Sequence, residues 1–157
     1  MERKCLLAIR IRSAIDATKE VKDTLEMLRL GRTNYATLLD DRPSYLGMLR
    51  RVKDRVTWGE VSYETILRLL KERGETVGGR KIDEETLKQL GYESLEELAR
   101  ALYNCEVELT KLKGIKPFFR LHPPKKGFKK KIKRPYGAGG ETGYRGEEIN
   151  KLALRMI

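Results

Sequence analysis

Over about its first sixty residues the chain switches its apolar period from two to three-or-four and back again, twice. Leu7, Ile9 and Ile11 alternate with Leu6, Ala8 and Arg10, which predicts a strand whose two faces are both apolar until its basic end. Ala14, Ala17, Val21, Leu25 and Leu28 then recur at helical steps with Gly31 as a stop, so a helix is predicted over 16–30. Residues 34–40 read as a second strand, with Tyr35, Thr37 and Leu39 on one side and Ala36 and Leu38 on the other. Pro43 suits the first turn of a helix, where its missing N–H costs nothing, and Leu46, Leu49 and Val52 supply that helix's inward stripe. Residues 56–61 close the unit as a third strand. The order β-α-β-α-β predicts the α+β class, as a three-stranded antiparallel sheet with both helices on one face, and a first unit spanning 1–61.

Residues 62–112 read as a helical extension. Ser62 opens a helix in which Val61 and Ile66 occupy the positions of a hydrophobic staple, Ile66, Leu67 and Leu70 form the inward stripe and Gly74 is the stop. After a loop with Gly78 and Gly79, Asp83 caps a short helix ending at Gly91. Ser94 with Glu97 is a capping box for a further helix carrying Leu95, Leu98, Leu102 and Cys105. The acids of this segment are expected on solvent faces.

Charge separates the rest of the chain from these two segments. Across 157 residues, 34 Lys and Arg against 23 Asp and Glu leave a net charge of +11, while 39% apolar residues suffice for a core. By segment the net is +4 over 1–61, −3 over 62–112 and +10 over 113–157. Residues 113–136 hold ten bases and no acid. Pro117, Pro123, Pro124, Pro135 and seven glycines exclude a continuous helix over 113–146, so an extended basic arm is predicted. Its bases are interleaved with Phe118, Phe119, Phe128 and Tyr136, a mixture suited to pairing with phosphates and stacking on bases. Ile149, Leu152, Ala153 and Met156 then repeat at helical spacing, so 147–157 should dock back on the body. A polyanion is the natural partner for such a distribution.

Other chemistry is thinly represented. No apolar run approaches the ~20 residues of a membrane span, and the short apolar stretch after Met1-Glu2-Arg3-Lys4 is broken by Arg10, unlike a secretory signal, so a cytoplasmic location is expected. Cys5 and Cys105 lie far apart without a CxxC pair, which gives no zinc module and no reason to infer a disulfide; each is expected as a small buried hydrophobe. Gly137, Gly139 and Gly143 imitate a dinucleotide loop with the last glycine one place late and no strand-loop-helix frame around it. His122, the single histidine, precedes two prolines without a helical partner for metal, and no GxSxG elbow exists. Asp40 and Asp41 are adjacent and point apart, with Asp41 the better placed toward the following helix start. No enzyme and no cofactor is expected.

The order of elements meets specific motifs in Ile11-Arg12-Ser13-Ala14-Ile15, Leu30-Gly31-Arg32-Thr33, Asp41-Arg42-Pro43-Ser44-Tyr45-Leu46-Gly47-Met48 and Val56-Thr57-Trp58-Gly59-Glu60-Val61. With these the chain closely resembles the large-subunit ribosomal protein L-thirty family (universal L-thirty, equivalent to eukaryotic L-seven), in its longer archaeal-type form. The resemblance implies a loosely ferredoxin-like core and a structural, non-catalytic constituent of the large (50S) subunit on the ribosome. The implied partners are ribosomal RNA, 23S with 5S as a second candidate, and neighbouring large-subunit proteins, with no membrane and no small-molecule substrate. Bacterial members carry Thr before the proline, where this chain has Arg42, so a hydroxyl cap is missing and a phosphate contact by Arg42 is a candidate role. The residues themselves mark Arg10, Arg12 and Ser13 at the first strand-to-helix turn and Arg32, Thr33 and Asn34 at the next connection as candidate RNA contacts. The two turns are left open as one patch or two. Arg50, Arg51, Lys53 and Arg55 form a further cluster scattered by helical spacing. In the arm the candidates are Lys113, Lys116, Arg120, Lys125, Lys126, Lys129, Lys130, Lys131, Lys133 and Arg134. Recognition would rest on RNA shape. The competing reading is a non-ribosomal interaction module that binds an acidic protein through the same arm.

Overall fold

In the computed structural model, residues 3–157 are described; Met1 and Glu2, which open the expected first unit and its amino-terminal reading, lie outside them. The predicted core is present as β1 (Cys5–Arg10), α1 (Lys19–Met27), β2 (Tyr35–Asp40), α2 (Pro43–Arg51) and β3 (Val56–Glu60). Strand β1 is central and antiparallel to both neighbours, with Ala8 opposite Thr37 of β2 and Trp58 of β3. The first helix is shorter than the period suggests. Thr18 caps it through its hydroxyl, Leu28 closes it, and Arg29 takes a left-handed φ of 64° that a continuing helix forbids.

Both faces of β1 are buried, and each meets a different layer. Leu6 and Ala8 face α1 and α2, packing with Leu25, Leu28, Leu49, Val52 and Trp58. Cys5, Leu7 and Ile9 face the other way, into a larger cluster with Ile66, Leu69, Leu98, Leu102, Phe119 and Met156. That second layer is built by α3 (Tyr63–Arg73), α4 (Glu84–Leu90), α5 (Leu95–Tyr103) and, from the far end of the chain, α6 (Ile149–Met156). Its helices start on the predicted caps: the side chains of Ser62, Asp83 and Ser94 accept from the backbone N–H of Thr65, Thr86 and Glu97. The reciprocal half of the capping box differs, because the Glu97 carboxylate accepts from the N–H of Glu93 rather than of Ser94.

The three-stranded sheet is extended to six by the segment predicted as an extended arm, giving the order β4-β2-β1-β3-β6-β5. Strand β4 (Phe119–Arg120) pairs antiparallel with β2, and β6 (Gly140–Tyr144) pairs parallel with β3. Strand β5 (Lys131–Pro135) pairs irregularly with β6 at the outer edge. The arm is therefore largely part of the body. Phe119 is fully buried, Thr37 donates its hydroxyl proton to the Pro117 carbonyl, and the backbone of His122 and Lys125 donates to the carbonyls of Met156 and Arg155 at the end of α6. Prolines and glycines correctly exclude a helix here but say nothing against short edge strands.

Candidate nucleic-acid interface

The registers decide whether the basic turns form one patch. Asn34 donates its backbone N–H to the carbonyl of Arg10, and the N–H groups of Ile11 and Arg12 both donate to the carbonyl of Arg55. The end of β1, the start of β2 and the start of β3 thus meet at one end of the sheet. This places Arg12, Ser13, Arg32, Thr33 and Asn34 together, where the sequence left one patch or two open. The carboxyl-terminal end of α2, with Arg50 and Arg51, leads into β3 at the same end. These, with Lys53, are exposed candidates that sequence reasoning left scattered; the signal that finds them is the antiparallel register, not the helical period.

The basic segment closes on the same end. Leu121 donates to the carbonyl of Asn34, which brings β4 and the following Lys125 and Lys126 there, and Thr57 at the start of β3 is level with Gly143. Gly140, three residues earlier on β6, therefore projects beyond the start of β3, and β5 lies against it. Lys125, Lys126, Lys129, Lys130, Lys131, Lys133 and Arg134 are all exposed on this rim; Lys113 is also exposed but lies away from it, where the next residue, Gly114, accepts from the N–H of Val77.

Four expected contacts are committed to the fold. Arg10 is buried, with Nε donating to the carbonyl of Arg12 at 2.9 Å and an Nη to that of Leu30 at 3.1 Å. Burial also lowers its guanidinium pKa from the usual value, with Arg55 adding to the effect. Arg42 turns to the opposite end of the sheet, where its guanidinium holds Asp40, at 2.6 Å, and Glu108. Asp40 accepts from the Arg42 N–H just before α2, which starts without a side-chain cap, while Asp41, expected to face that helix start, accepts from the N–H of Lys4. Burial alone would raise the Asp40 pKa, but the Arg42 side-chain and backbone hydrogen bonds outweigh it and hold the carboxyl below its ordinary value. Lys116 and Arg120 both pair with Glu75, Lys116 at 2.9 Å.

The aromatics of the segment are likewise engaged within the protein. Phe118 stacks on Tyr35 with ring centroids 4.8 Å apart, Phe119 and Phe128 contribute to the larger core, and Tyr136 lies under Arg145 at 5.0 Å and Lys130 at 5.6 Å. Both ring nitrogens of His122 lie 2.8 Å from backbone oxygens, Nδ1 from that of Pro123 and Nε2 from that of Ile157, so the ring sits against the protein. The surface thus offers charge and shape, with its rings used to hold the backbone.

One acid anchors the rim. Buried Glu141 pairs with buried Arg145 at 2.8 Å and accepts from the N–H of Lys130, while Arg145 Nε donates to Thr57 on β3 at 2.7 Å. Glu141 is invisible as an anchor in the sequence, where it is one of three acids in the final third.

The opposite end of the sheet has the opposite character. Asp40, Asp41, Glu60, Glu106, Glu108 and Glu147 gather there, around Arg3, Lys4 and Arg42. Among the described residues, no group of three or more His, Cys, Asp and Glu is placed to hold a metal ion, and no helix is long and apolar enough to cross a membrane.

Comparison with known proteins supplies relatives over the whole chain. Residues 6–56 match the family described as ribosomal protein L30p/L7e. The chain is 50% identical over 149 residues to the large ribosomal subunit protein uL30 of Methanopyrus kandleri, covering 94% of this chain and 100% of that one. It is 49% identical over 159 residues to uL30 of Ignicoccus hospitalis, with all of both chains covered, and 51% identical over 159 residues to uL30 of Korarchaeum cryptofilum, covering 100% of this chain and 98% of that one.

Proposed function

We propose, from the premise that this chain belongs to the L30p/L7e family of ribosomal proteins, that it is a structural component of the large ribosomal subunit whose basic sheet end binds ribosomal RNA. The observation that carries the reading is the convergence of three basic groups on one end of the sheet. These are the turn with Arg12, Ser13, Arg32, Thr33 and Asn34, the end of α2 with Arg50 and Arg51, and the rim from Lys125 to Arg134. Such a surface neutralises phosphates and reads the shape of a folded RNA, including its 2′-hydroxyls, rather than base edges. The RNA is 23S, with 5S the second candidate, and the role is structural, without catalysis. Neighbouring large-subunit proteins are its other partners, and the ribosome in the cytoplasm is its place of work.

Arg10, Arg42, Lys116 and Arg120 hold the fold together, and Lys113 stands apart on the β4 side. The contact set is then Arg12, Ser13, Arg32, Thr33, Asn34, Lys125, Lys126, Lys129, Lys130, Lys131, Lys133 and Arg134, joined by Arg50, Arg51 and Lys53.

Binding to large-subunit RNA measured across a salt series tests this directly. Each neutralised phosphate contributes about 0.7–0.9 to the log–log slope, so replacing Lys129, Lys130, Lys131, Lys133 and Arg134 by Gln should flatten it by up to about 3.5–4.5. An unchanged slope overturns the assignment of the rim. Binding to an acidic protein with no affinity for RNA would restore the interaction-module reading.

A further inference from the structure

Two cysteines a hundred residues apart in sequence are neighbours in space, at the acidic end of the sheet and away from the RNA-binding rim. Cys5 begins β1 and is buried in the larger core. Cys105 follows α5 in the turn that closes it, where the N–H of Glu106 returns to the carbonyl of Ala101 and Cys105 itself takes a left-handed φ of 57°. That turn aims the Cys105 side chain back at β1, with Sγ donating to the carbonyl of Arg3 at 3.6 Å. Cys5 and Cys105 both line the same two adjoining clefts, which sets their side chains beside one another. Both cysteines line a cleft of about 860 Å³, with Arg3, Lys4, Glu60 and Glu106. A cleft of a few hundred to a thousand Å³ is the size that admits a small-molecule ligand.

We propose that Cys5 and Cys105 form a thiol–disulfide exchange site that accepts a low-molecular-weight disulfide from the cleft and closes an intramolecular bond between the start of β1 and the end of α5. The two sulfurs have different parts. Cys105 is partly exposed, and the Cys5 thiol beside it stabilises its thiolate and lowers its pKa from the ordinary value. For Cys5 the neighbouring Cys105 sulfur, followed by burial, pushes the pKa well up, so its thiol keeps its proton. Cys105 is the attacking sulfur and Cys5 the resolving one.

In the first step the Cys105 thiolate bonds to one sulfur of the incoming disulfide, whose S–S bond breaks; the departing thiolate takes a proton from solvent. In the second, Cys5 releases its proton and attacks Cys105 Sγ, breaking the mixed disulfide and expelling the second small thiolate, which is protonated in turn. The two protein thiols lose two electrons and two protons, and the reagent disulfide is reduced to two thiols. The bond ties the helical extension to the central strand.

Incubating the full chain with glutathione disulfide and mapping peptides without reduction tests the site. The expected product of the wild-type chain lacks two hydrogens, contains linked Cys5 and Cys105 peptides and reverts with a thiol reductant. Cys5→Ser should stop as a glutathione adduct on Cys105, and in Cys105→Ser the remaining Cys5 should react at least about tenfold more slowly than that. A wild-type chain that ends as the Cys105 adduct alone, keeps two free thiols, or forms only intermolecular dimers overturns the proposal. The wild-type map decides even if a variant fails to fold.

Discussion

Gly59, in the middle of β3, shows how a single atom limits the packing. A Cβ there would lie 1.8 Å from the carbonyl oxygen of Gly146, in the turn that feeds α6. Only a residue without a side chain lets the carboxyl-terminal segment close against the sheet. Gly59→Ala should therefore destabilise the fold by about 1–3 kcal/mol or more, read from the urea midpoint. Gly47→Ala is its counterpart: nothing lies within 4 Å of the added carbon on α2, and removing backbone freedom in a helix should stabilise by about 0.5–1 kcal/mol. Phe119→Ala, at a fully buried position supplied by the basic segment, should cost about 3–5 kcal/mol on the same measurement. Glu141→Gln leaves the buried Arg145 guanidinium without its counter-charge, so a loss of about 3–5 kcal/mol is expected, far above that of an exposed charge substitution.

At the scale of elements, β4 depends on a clamp outside its own strand. Its two residues pair with β2, and Glu75, just past α3, grips Arg120 within the strand and Lys116 ahead of it. The Glu75 pKa is lowered, first by the Arg120 hydrogen bond, with Lys116 adding to it against the opposing effect of burial. A depressed carboxyl pKa contributes stability that is fully present above the unfolded value near ~4.3 and is lost as pH falls through the folded one. Glu75→Gln should thus lower Tm modestly at neutral pH, and the difference from wild type should vanish as the solution is acidified below ~4. On β6, one strand in from the other edge, Tyr144 is held by Glu60, whose carboxylate accepts its hydroxyl proton and pushes its pKa up to about 12. That contribution is present below the unfolded tyrosine value near ~10 and is lost as pH rises through about 12. Absorbance titration should show this tyrosine ionising last, and Glu60→Gln should bring it down.

Across the whole molecule the charge is sorted along the strands, bases at one end and acids at the other. A six-residue strand is roughly 20 Å long, more than twice the Debye length of ~8 Å at physiological salt, so the two ends act almost independently toward a partner. Glu106→Gln with Glu147→Gln, both at the acidic end, should leave the salt slope of RNA binding unchanged, in contrast to the rim substitutions. The sequence by itself determined the strands and helices of the first unit, the caps at Ser62, Asp83 and Ser94, the family and the excess of bases in the final third. All of these are carried by local periodicity or by motifs contiguous in the chain. It did not determine that the proline- and glycine-rich segment supplies three strands, because an edge strand is stabilised by hydrogen bonds to residues distant in sequence, and Phe119 looks the same as an exposed ring until β2 is beside it. Nor did it separate Arg10 and Arg42, committed to carbonyls and carboxylates, from exposed Arg32, or show that Arg12 spends one donor on the Asp54 carbonyl. The meeting of the basic turns, the burial of the Glu141–Arg145 pair against Thr57, and the meeting of Cys5 with Cys105 were decided by the tertiary structure, since they need the antiparallel register, the pairing of β6 with β3 and the packing of α5 on β1.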